Sequence, residues 1–254
     1  MSGSIPPALR RLILAVDLVG YSTLDHLRQL AVQQRLVEVM ERACAGADVD
    51  RAACTRQPQG DGEVLLLPPA LDEGRVVPRL VQQLALSLRQ MNRDLALDSR
   101  LRLRAAMHQG IVQEAANGFV SRAGVRTCRM LDSSAPRTVM ETLPACELAL
   151  VVSESLFEDV LEHGYQGLDP DLFVRYRTDL PAKKFATEVW MYLAFTPELL
   201  PPPSTAPTAS PAPSPPPSPG PAPGRFPVPP PVPTPEQVAP ALYQPEIFRR
   251  FGPL

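Results

Sequence analysis

The sequence predicts an α+β sandwich, a mostly antiparallel sheet with helices on one face. The first observation behind this is the order of apolar segments, which reads β-α-β-β-α-β-α-β-α-β-β. The second is that strand-like runs follow each other directly across short turns at two places, as antiparallel hairpins require. The third is a change of composition near residue 197, which sets off residues 1–197 as one domain of ordinary size.

The first half of this domain divides into a strand, a helix and a hairpin. Residues 12–16 form a short apolar run of strand character, and residues 23–45 place apolar side chains at the spacing of a long amphipathic helix. Residues 52–57 and 63–67 flank a Pro-Gln-Gly-Asp-Gly turn, which predicts a β-hairpin.

The second half continues the alternation and ends in another hairpin. Pro78 is predicted to begin a second amphipathic helix that runs to about residue 97, because proline is favoured in the first helical turn. Ser153 is a predicted N-cap. The remaining predicted elements are strands at 101–108, 147–152, 173–178 and 188–195, and helices at 123–131 and 154–162.

Two aspartates lie in short glycine-containing motifs. Asp17 follows an apolar run in Ala-Val-Asp-Leu-Val-Gly-Tyr-Ser, and Asp61 lies in Gln-Gly-Asp-Gly-Glu before another apolar run. Carboxylates at the ends of neighbouring strands can hold one or two divalent cations. The alternative is that Asp17 caps the following helix and Asp61 satisfies the hairpin turn. Because each aspartate has a glycine close to it in its motif, metal ligation is the favoured interpretation.

A third motif, Arg104-x-x-x-His108-x-Gly110, completes a set. In this order and spacing, the three motifs resemble the catalytic domain of class III nucleotidyl cyclases, the family of the adenylate and guanylate cyclases. The resemblance covers about residues 10–195. It implies the architecture of that family, a ferredoxin-like core with additions.

The resemblance also implies roles for individual residues. Asp17 and Asp61 match the aspartates that bind two Mg²⁺ or Mn²⁺ ions, one activating the ribose 3′-hydroxyl and the other holding the triphosphate as pyrophosphate leaves. Arg129 matches the arginine that stabilises the transition state. In the family the site is shared across a head-to-tail dimer, with metals from one subunit and this arginine from the other. Lys183 or Lys184 falls where a lysine neutralises the triphosphate, the alternative being a solvated turn.

Three positions depart from the family pattern. Gln57 stands where purine cyclases place a base-reading lysine, with Arg56 adjacent, and Gly118 stands near the second base-reading position. Val125 replaces an asparagine that orients the ribose, and valine has no donor or acceptor. Loss of one transition-state hydrogen bond typically costs about 10²–10³ in rate. Arg56 or Arg126 could instead serve a pyrimidine-specific pocket.

Other conspicuous side chains have structural interpretations. His108 is expected to be hydrogen-bonded within the sheet, because nothing nearby in the sequence supplies partners for a metal or a catalytic triad. Trp190 and Tyr192 are expected in the core.

Three hypotheses follow for function. The leading one is a divergent, weakly active or inactive cyclase-homology domain, a pseudoenzyme that dimerises and binds nucleoside triphosphate and metal in a signalling role. Its partner is a second copy or a cyclase-like subunit that supplies the missing asparagine. The second is an active cyclase, a lyase that makes a 3′,5′-cyclic nucleotide, possible substrates including a pyrimidine triphosphate. The third is a non-enzymatic scaffold.

The bulk composition excludes several classes. The 254 residues carry 25 basic and 27 acidic side chains without a basic stripe, which argues against nucleic-acid binding. No apolar run has the length of a membrane span, and residues 1–7 lack the pattern of a signal peptide. The four cysteines lack metal-ligand or disulfide spacing. A reducing, cytoplasmic location is therefore expected.

The C-terminal region has two predicted parts. Residues 198–240 are rich in proline, alanine and serine and are expected to form a disordered, polyproline-like linker. Residues 241–254 gather aromatic and arginine side chains and form either a short docking peptide for a partner protein or an unstructured tail.

Overall fold

The computed structural model describes residues 5–116 and 118–195. Eight strands form one sheet, and five α-helices pack on it. The predicted Pro-rich linker and docking peptide lie outside the described residues. In chain order the elements are β1 (Ala8–Leu18), α1 (His26–Gly46), β2 (Thr55–Pro58), β3 (Gly62–Leu66), α2 (Glu73–Asn92), β4 (Leu103–Ala115), β5 (Gly118–Val120), α3 (Arg122–Leu131), α4 (Ser134–Thr142), β6 (Cys146–Ser153), α5 (Glu154–Asp159), β7 (Phe173–Leu180) and β8 (Phe185–Phe195).

The sheet has the strand order β2-β3-β1-β4-β6-β8-β7, with β5 paired to β4. Every pairing is antiparallel except that of β4 with β6. The long strands β1 and β4 are central and pair over eleven residues, from Ala8–Gln113 to Leu18–Leu103. The prediction of an α+β sandwich with a mostly antiparallel sheet is confirmed.

Helices cover both faces of the sheet, which corrects the expectation of helices on one face. Helices α1, α2 and α5 pack with one set of alternating strand residues, such as Leu14 and Met107. The shorter helices α3 and α4 pack with the other set, such as Ile13 and Ala106. The strands are apolar on both sides for this reason, so their sequence shows continuous runs rather than strict alternation.

The second helix begins earlier than predicted. It spans Glu73–Asn92, and Pro78 lies inside it rather than at its start. The Asp72 carboxylate caps the helix by accepting a hydrogen bond from the Arg75 amide at 3.2 Å. The start signal is the capping aspartate, which lies six positions before the proline, and not the proline itself.

Two short elements were not predicted, and the other elements differ mainly at their ends. Strand β5 has only three residues, and α4 follows α3 after a short break at Asp132 and Ser133. The Ser153 cap is confirmed, because its hydroxyl accepts a hydrogen bond from the Leu156 amide at 3.3 Å.

Among the described residues, no helix has the length and apolar character needed to cross a membrane. All four cysteines lie in this part of the chain and are free thiols. Burial raises the pKa of Cys44 and of Cys146 to about 12, so both thiols are unreactive at neutral pH.

Candidate functional site

The main chain brings the two motif aspartates to adjacent positions at one end of the sheet. Asp17 near the end of β1 pairs with Gly62 at the start of β3. The Leu18 amide then donates a hydrogen bond to the Asp61 carbonyl oxygen at 2.8 Å. The hairpin and β1 therefore place the two carboxylate-bearing residues together, as the motifs suggested.

Glycine at position 62 is required by this close approach. A Cβ built on Gly62 would overlap the carbonyl oxygen of Val16 in the neighbouring strand. Gly60 has a different role, because its φ of 79° lies in the left-handed region and nothing surrounds the position of its missing side chain. In the Gly-Asp-Gly motif, Gly60 thus allows the turn and Gly62 allows the close approach of β3 to β1.

Arg104 is the immediate partner of Asp17. It lies opposite Asp17 in the β1–β4 pairing. Its Nε donates to one carboxylate oxygen at 3.0 Å, and its Nη2 donates to the other. Both side chains are 13% exposed. The third nitrogen, Nη1, is buried and has no hydrogen-bond partner within the described residues.

The Asp17 carboxylate is electrostatically strained despite this ion pair. Burial raises its pKa to about 6, Arg104 acts in the opposite direction, and the charges of Asp61 and Asp132 add to the rise. A buried carboxylate with acidic neighbours is stabilised by a divalent cation, since the cation offsets both burial and repulsion.

The donor set fits a magnesium-type site of few protein ligands. Within residues 5–116 and 118–195, no group of three or more His, Cys, Asp or Glu side chains gathers as a metal site. Mg²⁺ is commonly held by one or two carboxylates, with water and phosphate oxygens completing the coordination. Asp17 and Asp61 are two neighbouring carboxylates of this kind, and a metal ion held between them would have to displace the Arg104 guanidinium from the Asp17 oxygens.

A large open cavity lies on the α3 side of the sheet. Its volume is about 1240 Å³. Gln57, Val125, Arg129 and Lys183 line it, whereas Asp17 and Asp61 do not. Three residues predicted to contact a nucleotide therefore share one concave surface, namely Gln57 of β2, Arg129 of α3 and Lys183 of the β7–β8 turn. Val125, which replaces the expected asparagine, lies on the same surface.

The cavity is basic. Among the described residues that line it, four are basic and none is acidic. Arg122 was not predicted as a site residue, although Arg122, Arg126 and Arg129 are spaced so as to share one face of α3. The fourth basic residue is Lys183.

Three of the four basic side chains make local contacts near the protein surface. The Arg129 guanidinium lies 6.0 Å from the centre of the Phe185 ring. Arg126 donates to Thr187 Oγ1 at 2.7 Å. Lys183 Nζ lies 3.1 Å from Asp132 Oδ2, with both side chains substantially exposed. Such contacts are readily exchanged for a phosphate group.

The other predicted site residues lie outside the cavity lining. The Arg56 guanidinium pairs with buried Glu63 at 3.4 Å, and Glu63 also accepts from buried Arg51 at 2.6 Å. Lys184 is exposed and adopts a left-handed conformation in the β7–β8 turn. Gly118 begins β5 with a φ of 95°.

Residues of the third motif support the cavity wall. A Cβ on Gly110 would overlap Ala123 of α3, so this glycine allows α3 to pack directly on β4. His108 Nδ1 lies 2.7 Å from Ser153 Oγ. Burial, with Arg126 and Arg10 adding to the effect, lowers the pKa of His108 to about 4, so the ring is neutral at pH 7. The structural role expected for His108 is confirmed.

Trp190 and Tyr192 are part of the core, as expected. Trp190 stacks on Phe157 with ring centres 3.7 Å apart, and Tyr192 is 7% exposed.

Comparison with known proteins places the fold. No family model matches the sequence. No curated protein matches it either. Among solved structures, the guanylyl cyclase Cya2 is 15% identical and has a TM-score of 0.53, the alignment covering 76% of this chain and 96% of that one. An adenylate/guanylate cyclase/hydrolase from Silicibacter pomeroyi is 18% identical with a TM-score of 0.54, covering 74% and 98%.

A third similar structure contains a nucleotide. The guanylate cyclase domain of RhGC from Catenaria anguillulae, in complex with GTP, is 14% identical with a TM-score of 0.51, covering 74% of this chain and 98% of that one. The described residues therefore have the fold of class III nucleotidyl cyclase catalytic domains. At these identities the similarity establishes the fold, and the sequence is strongly diverged.

Proposed function

We propose that this chain is a divergent nucleotidyl-cyclase-homology domain that binds a nucleoside triphosphate together with Mg²⁺ or Mn²⁺, as a dimer, with weak or no turnover. The observation that carries the proposal is the basic cavity, in which Gln57, Arg129 and Lys183 converge around a volume of about 1240 Å³. The GTP complex of a protein with the same fold supports a nucleotide as the ligand.

The residues of the cavity suit a triphosphate. Arg129 and Lys183 present guanidinium and ammonium donors to phosphate oxygens, and Arg122 and Arg126 add positive charge nearby. The Gln57 amide offers both a donor and an acceptor to the edge of a base. When bound, the divalent ions supply Lewis-acid chemistry, polarising the phosphoryl group and lowering the pKa of the attacking hydroxyl.

Weak turnover follows from Val125. This residue lines the cavity and is 52% exposed, so its position faces the ligand space but offers no hydrogen bond. Without that contact the ribose is held less firmly, and alignment of the attacking hydroxyl suffers.

A direct test is to incubate the full chain with each of ATP, GTP, CTP and UTP plus Mn²⁺. Cyclic product and pyrophosphate are measured, with nucleotide affinity determined by calorimetry. We expect triphosphate binding that Arg129→Ala weakens about tenfold or more. Arg137→Ala is the matched control, because Arg137 is exposed on α4 and outside the cavity.

The outcomes separate the hypotheses. Fast formation of a cyclic product would replace the weak-turnover proposal with an active cyclase. Absence of both product and binding would favour the scaffold, which then predicts that deletion of residues 200–254 abolishes capture of a partner protein.

Dimerisation can be tested separately, because the Asp17 and Asp61 carboxylates do not line the basic cavity of the same chain. Asp17→Asn removes one half of a shared site and Arg129→Ala removes the other. If two copies join head to tail, mixing these variants restores about a quarter of the wild-type sites through heterodimers. No recovery in a mixture shown to exchange subunits would contradict a shared site.

A further inference from the structure

A single side chain on α1 connects the two loops that carry the motif aspartates. The Gln33 amide nitrogen donates to Tyr21 Oη at 2.8 Å and to the Gly60 carbonyl oxygen at 2.6 Å. Because a backbone carbonyl can only accept, the atom facing Gly60 must be the NH₂ group. Both of its protons are therefore used, one for each loop.

The two acceptors lie close to the carboxylates in sequence. Tyr21 is four residues after Asp17, and Gly60 immediately precedes Asp61. Gln29 adds a weaker contact by donating from its amide nitrogen to the Tyr21 carbonyl oxygen at 3.3 Å. Helix α1 thus contacts the Asp17 loop twice and the tip of the Asp61 turn through Gln33.

The turn at Gly60 is held by hydrogen bonds within the hairpin and by hydrogen bonds from other elements. Its hydrogen bonds within the hairpin run from Gln59 to Gly62 and from Asp61 to Gln59, at 2.8 and 3.0 Å. The Asp61 carbonyl is held by the Leu18 amide on the side facing β1. Gln33 bonds the preceding carbonyl, that of Gly60, so the main chain on both sides of the Asp61 nitrogen and α-carbon is held by residues outside the hairpin.

We propose that Gln33 is a positioning residue for the paired Asp17 and Asp61 carboxylates, setting their separation for a divalent cation through the Tyr21–Gln33–Gly60 bridge. The inference rests on the proposed function. Gln33 donates to two loops and contacts neither carboxylate itself. Removing a group that hydrogen-bonds a metal ligand directly typically changes metal affinity 10–100-fold, and the effect of Gln33, which acts through the two loops, is expected at the lower end of that range.

The chemistry of position 33 is restrictive. Asparagine is one methylene shorter and cannot span both acceptors. Glutamate keeps the length but sets a carboxylate against the Gly60 carbonyl, which repels it. Methionine keeps the length and the apolar stem but removes both donors, so Gln33→Met isolates the hydrogen bonds.

The experiment measures Mn²⁺ binding to the full-length protein by electron paramagnetic resonance of free Mn²⁺. Gln33→Met is expected to weaken binding about tenfold. Gln34→Met makes the same chemical change at the exposed neighbouring position and is expected to alter affinity by less than about twofold. Tyr21→Phe combined with Gln33→Met should be no weaker than Gln33→Met alone, because the bridge is already absent.

A second readout excludes general loss of structure. Hydrogen exchange of the metal-free protein should accelerate at the 59–62 turn in Gln33→Met, and remain unchanged in the core strands β1 and β4. Equal Mn²⁺ affinity of Gln33→Met and wild type would overturn this inference and leave the proposed function intact. Absence of any wild-type binding that Asp17→Asn removes would overturn both.

Discussion

Arg104 donates hydrogen bonds to both carboxylate oxygens of Asp17 from the directly opposite position on the neighbouring central strand. The guanidinium therefore occupies the atoms that a divalent cation would use. Its remaining nitrogen, Nη1, is buried without a partner in the described part of the chain. Arg104 supplies the positive charge beside Asp17, and a divalent cation bound to Asp17 would replace it.

Removing the arginine should be costly to stability. Both partners are 13% exposed, so Arg104→Met leaves a buried carboxylate without its counter-charge, which costs about 3–5 kcal/mol. The exposed Arg42–Glu38 pair on α1 is the matched control, and Arg42→Met should cost less than about 0.5 kcal/mol. Urea denaturation of the metal-free proteins measures both. Similar losses of unfolding free energy in the two variants would show that the buried pair stabilises the protein no more than the exposed pair does.

Metal binding should weaken in acid. The pKa of Asp17 is raised to about 6, so below that pH a proton competes with the metal for the carboxylate, and affinity for Mn²⁺ should fall about tenfold per pH unit. The folded protein keeps this proton to higher pH than an unfolded chain, so this group makes the metal-free protein less stable as pH rises from about 4 to about 6. Carbon NMR of the Asp17 carboxyl gives the pKa directly. A midpoint near 4 would contradict the expectation.

The two glycines around Asp61 should respond differently to alanine. Gly62→Ala places a methyl group into the Val16 carbonyl of the adjacent strand, and backbone cannot move aside without breaking β1–β3 pairing, so we expect a loss of several kcal/mol or no folded protein. Gly60→Ala meets no neighbouring atom and incurs only the left-handed backbone penalty of about 1–2 kcal/mol. Thermal unfolding compares them, and equal effects would mean that strand contact is not the constraint.

Restoring the missing asparagine should raise turnover. Val125 is half exposed on the cavity wall, so Val125→Asn introduces an amide at the ligand surface without a packing cost. The gain has a ceiling of about 10²–10³ in rate, the usual size of one transition-state hydrogen bond. Leu86→Asn, on the exposed side of α2, is a control of similar chemistry. An unchanged rate with measurable nucleotide binding would show that the valine at position 125 is not what limits turnover.

The residues most readily predicted from the sequence are those in motifs where glycine turns flank a charged side chain. Asp17 and Asp61 were predicted as a pair, and their main chains are adjacent in the sheet. Of the five residues predicted to contact the nucleotide, Gln57, Arg129 and Lys183 line one cavity. Arg56 and Lys184 lie outside that lining. Helix starts were less predictable, as Pro78 shows, because the helix begins after the Asp72 cap and the proline lies inside it.

The contacts of Arg104 and Gln33 could not be read from the chain. Arg104 faces Asp17 only because β1 and β4 pair in one register, and a shift of one residue would turn its side chain to the opposite face. Gln33 is one of several polar residues on a long helix, and its spacing from Tyr21 and Gly60 carries no local pattern.

The sequence by itself determined the order of most strands and helices, the glycine turns and the identity of the side chains available for chemistry, because these depend on local propensity and residue type. Only the tertiary structure decided that an arginine neutralises Asp17, that a glutamine ties both aspartate loops together, and that α3 turns its arginines into a cavity. Those outcomes depend on strand register and helix packing, which arise from contacts between residues far apart in the chain.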